Sequence, residues 1–113
     1  MIRLQNNIRR EAYATADATG AATAVVEVNP GPSWMVKQIG VSTNSTLTLP
    51  TAATYVGRNT SGVFVSSTLV GNSDTDSLPN VTLRSGESLC AIWANCTVND
   101  QCKITVIYDE VAY

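Results

Sequence analysis

The sequence predicts an all-β protein: a single antiparallel β-sandwich of about eight short strands in a jelly-roll-like arrangement, preceded by an extended N-terminal arm. Valine and threonine, which favour strands, are spread through the chain. Turn residues recur about every 8–12 residues, a spacing typical of sandwiches and barrels. With 113 residues, the chain is long enough for one modest core.

The first 23 residues are predicted to form the N-terminal arm, and residues 24–113 the sandwich domain. From Ala12 to Ala24 the side chains are too small to anchor a core. Leu4 and Ile8 lie one helical turn apart, which allows a short helix. We expect the arm to bind another subunit, and folding back onto its own domain is the alternative. The arm residues expected to contact a partner are Ile2, Arg3, Leu4, Ile8, Arg9 and Arg10.

Each predicted strand of the domain is an apolar or β-branched run that ends at a turn signal. In the strand at residues 33–43 the apolar alternation changes parity, and a bulge near Lys37 and Gln38 would reconcile its two halves. Residues 71–77 are predicted to form a polar loop and residues 84–87 a turn. The predicted strands cover residues 24–28, 33–43, 45–49, 53–58, 63–70, 80–83, 88–95 and 102–111.

The last two strands are predicted to form a hairpin closed by residues 97–101. If Cys96 faces Cys102 across it, Ala94 faces Ile104, and one side of the hairpin is apolar throughout. The opposite side is also rather apolar, although a sandwich strand usually has one face in water. We therefore expect a loop or another subunit to cover that second side. Its contact residues would be Leu89, Trp93 and Ile107.

Three cysteines lie six residues apart, at positions 90, 96 and 102. The hairpin would bring Cys96 and Cys102 within disulfide reach, because opposed strand residues approach to about 4.5–5.5 Å. The alternative is three reduced, half-buried cysteines in a protein assembled in a cytoplasm. The spacing is not that of a zinc site, and no histidine or fourth cysteine completes one.

The composition excludes several chemistries. The chain has no histidine, which excludes His-based triads, His general bases and His-ligated zinc. A net charge of −2 argues against nucleic-acid binding that relies on overall positive charge. No apolar run approaches the roughly 18 residues of a membrane span, and the charged start lacks the apolar region of a secretory signal. We expect no cofactor, no metal and no enzymatic activity.

Two weaker signals remain as alternatives. Asp74 and Asp76 could offer oxygen ligands to Ca²⁺, or could resemble a glycosidase pair in residue type alone, but a solvated polar turn is the simpler interpretation. The aromatic residues could instead form a sugar-binding platform, although core packing or an inter-subunit contact is the favoured interpretation of the two tryptophans, because both lie within strands. The aromatic residues in question are Tyr13, Trp34, Tyr55, Phe64, Trp93 and Tyr108.

Five motifs follow one another along the body of the chain. They are WMVKQIGV at 34–41, a Thr/Pro-rich stretch ending in TYVGR at 54–58, GNSD at 71–74, LRSGESL with AIW at 83–93, and ITVIY at 104–108. This order resembles small accessory virion proteins of tailed bacteriophages, particularly those that decorate the head. The resemblance covers residues 33–108 and leaves out the arm. It implies a non-enzymatic protein that clusters on a capsid, often as a trimer.

We therefore expect a decoration protein that binds the capsid exterior and stabilises the lattice through its arm and an apolar sheet face. Its partners would be capsid subunits and copies of itself, with neither nucleic acid nor membrane. It would reside in the virion after assembly in the host cytoplasm. Only 14% of the residues are charged, which suits dense packing of copies without self-repulsion. The alternative function is a carbohydrate- or receptor-binding module of a phage tail or tail fibre.

Overall fold

A computed structural model describes the chain over residues 2–28, 31–45, 49–70 and 73–112, and the side chains of residues 3, 64, 66–70 and 73–80 are outside that description. Within these ranges the fold is all-β, as predicted. The molecule is elongated, with extents of 46 × 22 × 19 Å. Its strands are β1 (Ile2–Thr15), β2 (Ala22–Glu27), β3 (Ser33–Thr43), β4 (Thr51–Val56), β5 (Val63–Val70), β6 (Ser73–Leu83), β7 (Ser88–Ala94) and β8 (Gln101–Ala112).

The strands form two four-stranded antiparallel sheets that pack as a sandwich. The first sheet has the order β1-β8-β3-β6, and the second sheet has the order β2-β7-β4-β5. The chain crosses between the sheets at most of its turns, so strands that follow each other in sequence usually face each other across the core. This is the strand order of an eight-stranded jelly roll, and it confirms the predicted fold class.

The core lies between the sheets and is built by alternate residues of each strand. In β3, Trp34 and Val36 are buried before a register shift, and Ile39 and Val41 are buried after it. The shift lies between Val36 and Gln38 in the pairing with both β6 and β8, which confirms the predicted bulge. An extra residue at this point moves the apolar set back onto the inner face, so the whole strand can contribute to one core.

Residues 1–23 are not a separate arm, so the predicted domain boundary is wrong. Strand β1 pairs with β8 along its length, and the short helix considered for its start does not form. Ala12 and Ala14 are half-buried against the core, and Ala16 is 2% exposed. Small side chains suffice here because the hydrogen bonds to β8 hold the strand in place. The alternative, in which the segment folds back onto its own domain, is the observed arrangement.

Strands β7 and β8 do not form the predicted hairpin. Strand β7 pairs with β2 and β4 in the second sheet, whereas β8 pairs with β1 and β3 in the first. Residues 95–100 therefore connect the two sheets rather than closing a hairpin. The predicted pairing failed because both faces of β7 are apolar, so alternation alone did not reveal which neighbour each face meets.

The predicted polar loop at residues 71–77 is also wrong over most of its length. Strand β6 begins at Ser73, and its backbone pairs with β3, where Asp74 lies opposite Val41 and Asp76 opposite Ile39. The predicted strand at residues 45–49 falls mainly on residues 46–48, which lie outside the described residues. Over the described residues no helix is long and apolar enough to cross a membrane.

Candidate partner-binding surface

Strand β1 is an edge strand of the first sheet, and among the described strands only β8 pairs with it in that sheet. Three of its apolar side chains remain in solvent: Ile2 is 67% exposed, Leu4 54% and Tyr13 69%. An edge strand presents unpaired backbone groups, and natural proteins usually blunt such edges with charges or bulges. Exposed apolar side chains on an open edge are therefore the first place to look for a binding partner.

The start of β1 lies at one end of the sandwich, beside the last residues of β8. Leu4 borders a shallow depression of about 480 Å³ there, together with Pro32, Arg84, Val111 and Ala112. We call Ile2, Leu4 and the rim of this depression the β1-start surface. Arg3 belongs to the same segment, and its side chain lies outside the described residues.

A bulge interrupts β1 between Gln5 and Ile8, and three polar residues hold it. Asn7 adopts a left-handed backbone conformation with φ of 55°, and its N–H donates to Asp109 Oδ1 at 2.9 Å. Lys37 Nζ donates to Asn7 Oδ1 at 2.7 Å and lies 3.7 Å from Asp109 Oδ1. The Asp109 side chain is fully buried beneath this bulge. A bulge on an exposed edge protects it from open-ended strand pairing.

Arg10, which was predicted to contact a partner, lies against an aromatic ring of its own domain. Its guanidinium carbon lies 5.2 Å from the centroid of the Trp34 ring, in cation–π contact. Trp34 in turn stacks on Tyr108, with ring centroids 3.8 Å apart. Burial raises the pKa of the Tyr108 hydroxyl, and the charge of Arg10 partly opposes that rise. Ile8 is half-buried against the core, whereas the Arg10 side chain stays exposed while it makes this contact.

Arg9 lies on the outer face of the first sheet, among other charged side chains. Its Nε is 3.6 Å from Glu11 Oε1, and Lys103 Nζ is 3.0 Å from Glu11 Oε2. The hydrogen bond from Lys103 is the main reason that the pKa of Glu11 is lowered. Ile107 is paired with Arg9 in register and is half-buried on this same face. Arg9 and Ile107 are thus the predicted contact residues that stay on an accessible sheet face.

Leu89 and Trp93 cannot serve as a partner-binding face. They are 0% and 1% exposed, because this side of β7 points into the core. The outward side of β7 carries Cys90 and Ile92, next to Val25 and Tyr55 of the neighbouring strands. Ile92, Val25 and Tyr55 are half-buried. The sequence indicated that both sides of β7 are apolar, but the side with Cys90 and Ile92 was expected to face the core and the side with Leu89 and Trp93 to face a partner.

Cys96 and Cys102 do come together, as predicted, although not across a hairpin. Their sulfur atoms lie 3.9 Å apart, both residues are buried, and all three cysteines are free thiols. Burial, followed by the nearby Cys102, raises the pKa of the Cys96 thiol to about 11. Burial also raises the pKa of Cys90. The raised pKa keeps the Cys96 thiol mostly protonated at neutral pH, and a protonated thiol is a weaker nucleophile than a thiolate.

The aromatic residues do not form the platform considered from the sequence. Trp34, Trp93 and Tyr108 are at most 4% exposed. Among the described aromatic side chains, the accessible ones are Tyr13 on the first sheet and Tyr55 on the second. The side chain of Phe64 lies outside the described residues, as do those of the Asp74 and Asp76 pair.

Comparison with known proteins finds solved structures of similar fold, but it assigns the chain to no family. No family model and no curated protein matches the sequence. A chain in the capsid structure of Helicobacter pylori bacteriophage KHP30 is similar with a TM-score of 0.55 at 15% identity, covering 96% of this chain and 96% of that one. Yersinia pseudotuberculosis-derived mitogen gives 0.54 at 9% identity, covering 95% of this chain and 90% of that one.

A carbohydrate-binding protein is similar to the same extent. Chitosan-binding module 1 of a chitosanase/glucanase from Paenibacillus sp. IK-5 gives a TM-score of 0.53 at 11% identity, covering 93% of this chain and 99% of that one. At identities this low the likeness establishes the β-sandwich fold alone. Fold does not determine function, so the choice between these neighbours depends on surface chemistry.

Proposed function

We propose that this chain is a non-enzymatic structural protein of a phage virion, a decoration protein that binds the capsid exterior and stabilises the lattice. The observation that carries the proposal is the likeness to a chain of a phage capsid over 96% of both chains. Equal coverage means that the two chains have similar lengths. A capsid component of this size matches the small accessory proteins that the motif order of residues 33–108 resembles.

The β1-start surface is the proposed attachment point. Ile2 and Leu4 expose more than half of their side chains at an open sheet edge. Burying a whole Leu or Ile side chain stabilises a complex by about 1.5–3 kcal/mol, so covering the exposed parts of both would contribute about 2–4 kcal/mol per copy. That is modest for one molecule, but many copies on one lattice would bind with avidity.

The proposed partners also include further copies of the chain, as a trimer. The half-buried apolar residues on the outward side of the second sheet, Val25, Tyr55 and Ile92, support self-association, because apolar sheet faces are often covered in assemblies. Sedimentation equilibrium of the purified chain measures this directly. A trimer supports the proposal, and a monomer at all concentrations removes self-association from it.

The attachment is tested with the double variant Ile2→Ser/Leu4→Ser. The probe is capsids from the phage that encodes the chain, stripped of it by mild denaturant. We expect wild-type chain to sediment with the shells and the double variant to bind at least about 30-fold more weakly, which corresponds to the loss of about 2 kcal/mol. The matched control is Val63→Ser/Val98→Ser, which alters residues 71% and 51% exposed elsewhere on the surface.

The outcomes separate the function from the surface. If the wild-type chain does not bind shells, the proposed function is wrong. If the wild-type chain binds and both double variants bind equally well, the function stands and the β1-start surface is not the attachment point.

The second candidate function is carbohydrate binding, supported by the fold likeness to a chitosan-binding module. Burial of Trp34 and Trp93 counts against a broad aromatic platform, which leaves Tyr13 and Tyr55 as candidate stacking residues on separate sheets. Calorimetric titration with chitosan oligosaccharides tests this candidate. Saturable heat that disappears in Tyr55→Ala or Tyr13→Ala would favour it over capsid decoration.

A further inference from the structure

Cys96 and Cys102 lie at the end of the sandwich opposite the β1-start surface, where the chain passes from one sheet to the other. Cys96 follows β7 of the second sheet, and Cys102 lies in β8 of the first. Their sulfur atoms are 3.9 Å apart, and the residues are 7% and 1% exposed. Cys102 Sγ also lies 3.7 Å from the Thr43 hydroxyl of β3. A covalent bond between these sulfurs would join the two sheets.

The backbone around the pair is held from both sides by hydrogen bonds. The Cys96 N–H donates to the Gly20 carbonyl at 3.0 Å, in the turn between β1 and β2. The Gln101 N–H donates to Asn44 Oδ1 at 2.7 Å, and the Asn44 N–H donates to the Gln101 carbonyl at 3.2 Å. These contacts hold the two cysteines next to each other. Closing the gap to the roughly 2.05 Å of a disulfide then requires small side-chain and backbone adjustments.

We propose that Cys96 and Cys102 are an oxidation site, which a small organic disulfide such as oxidised glutathione converts into one intramolecular disulfide while Cys90 stays reduced. The thiolate of Cys96, the more exposed of the two, attacks the oxidant and releases one small thiol. The thiolate of Cys102 then attacks the resulting mixed disulfide and releases the second. The two cysteines lose two electrons and two protons, and the oxidant is reduced to two thiols.

Cys90 lies too far from the pair to take part. It is in the middle of β7, opposite Val25 and Tyr55, and is fully buried. Six residues of extended strand span roughly 20 Å, so its sulfur is distant from that of Cys96. Cys90 therefore acts as an internal control that should remain a thiol under the same conditions.

The consequence for a virion component rests on the proposed function. A cytoplasm keeps such thiols reduced, whereas the surroundings of a released particle are oxidising. The chain would assemble with both thiols reduced and would gain a covalent link between its sheets after release. The chemistry itself is tested on the isolated chain without capsids, so its failure and the failure of the decoration role are distinguishable.

The test is incubation of the reduced, folded chain with oxidised glutathione, followed by intact-mass measurement. We expect the loss of two hydrogen atoms without a lasting glutathione adduct, and a fall in titratable thiols from three to one after denaturation. Alkylation in denaturant followed by fragmentation of the tryptic peptide 85–103 should place the single label on Cys90. The oxidised form should melt roughly 10 °C higher than the reduced form, as expected for one added disulfide.

Serine variants decide which thiols react. Cys90→Ser should still lose two hydrogen atoms, whereas Cys96→Ser and Cys102→Ser should not. The proposal is wrong if the wild-type chain still has three free thiols after incubation with oxidised glutathione under conditions that oxidise a model dithiol. It is also wrong if the bond involves Cys90, or if the product is a disulfide-linked dimer. Because Cys90→Ser retains both reacting thiols, it keeps the test valid even if the other two variants fold poorly.

Discussion

Replacing Gly20 with alanine should loosen the end of the sandwich that carries the cysteine pair. Gly20 lies in the turn between β1 and β2, with φ of 79°, and its carbonyl accepts the N–H of Cys96. A Cβ atom at this position would lie 2.3 Å from the Cys96 carbonyl oxygen, which is backbone and cannot rotate away. The turn must therefore separate from the loop that follows β7.

The expected cost has two parts. An L-residue in the left-handed region costs about 1–2 kcal/mol. Forcing an extra carbon into a closely packed contact costs about 1–3 kcal/mol more. Gly20→Ala should therefore lower the free energy of unfolding by about 2–5 kcal/mol, a large share of the roughly 5–15 kcal/mol that holds a domain together.

Gly86→Ala is the matched control. Gly86 also has a positive φ, of 89°, but a Cβ there would meet nothing within 4 Å. Gly86→Ala should lower the free energy of unfolding only by the cost of the left-handed backbone conformation, about 1–2 kcal/mol. The entropy that alanine removes from the unfolded chain is similar in both variants and cancels in the comparison.

Urea unfolding followed by the fluorescence of the buried tryptophans measures both variants by linear extrapolation. Gly20→Ala should be less stable than Gly86→Ala by about 1–3 kcal/mol. Equal losses within the error of the extrapolation would refute the close contact between Gly20 and Cys96, and with it the packing of the two loops.

Three further predictions concern single side chains. Asp109→Asn removes the charge buried beneath the β1 bulge, so the free energy of unfolding measured in urea should fall by about 1.5–3 kcal/mol. An unchanged free energy of unfolding would show that the charge is dispensable. Arg10→Ala uncovers the Trp34 ring at a cost of about 0.5–1 kcal/mol and should shift tryptophan emission to the red; an unmoved emission maximum would contradict the contact. Since the pKa of Cys96 is about 11, its thiolate fraction grows with pH throughout the neutral range. Oxidation should then accelerate about tenfold per unit between about pH 7 and 9, and a rate independent of pH would rule out Cys96 as the attacking thiol.

The fold class and several strands could be predicted because they depend on local signals. The bulge after Val36 follows from a change of apolar parity within one strand, and the strands at residues 33–43 and 63–70 have the predicted bounds. Strand β1 could not be predicted in this way. Its small alanines, Ala12 and Ala14, carry no strand signal, and hydrogen bonds to a distant β8 hold it in place.

The candidate site was less predictable because it depends on contacts between distant residues. Both faces of β7 are apolar, so the inward position of Leu89 and Trp93 follows only from the pairing of β7 with β2 and β4. Arg10 contacts Trp34 across 24 positions of sequence, and no local pattern indicates such a contact. Cys96 and Cys102 were expected to meet, and they do, but at a crossing between sheets rather than across a hairpin.

The proposed role of this chain in a phage head is tested most directly by its copy number in purified virions. Quantitative mass spectrometry with isotope-labelled peptides of the chain gives its ratio to the major capsid protein. We expect a fixed, high ratio that is retained in isolated heads. Absence from the particles, or only the few copies of a tail-tip component, would contradict it.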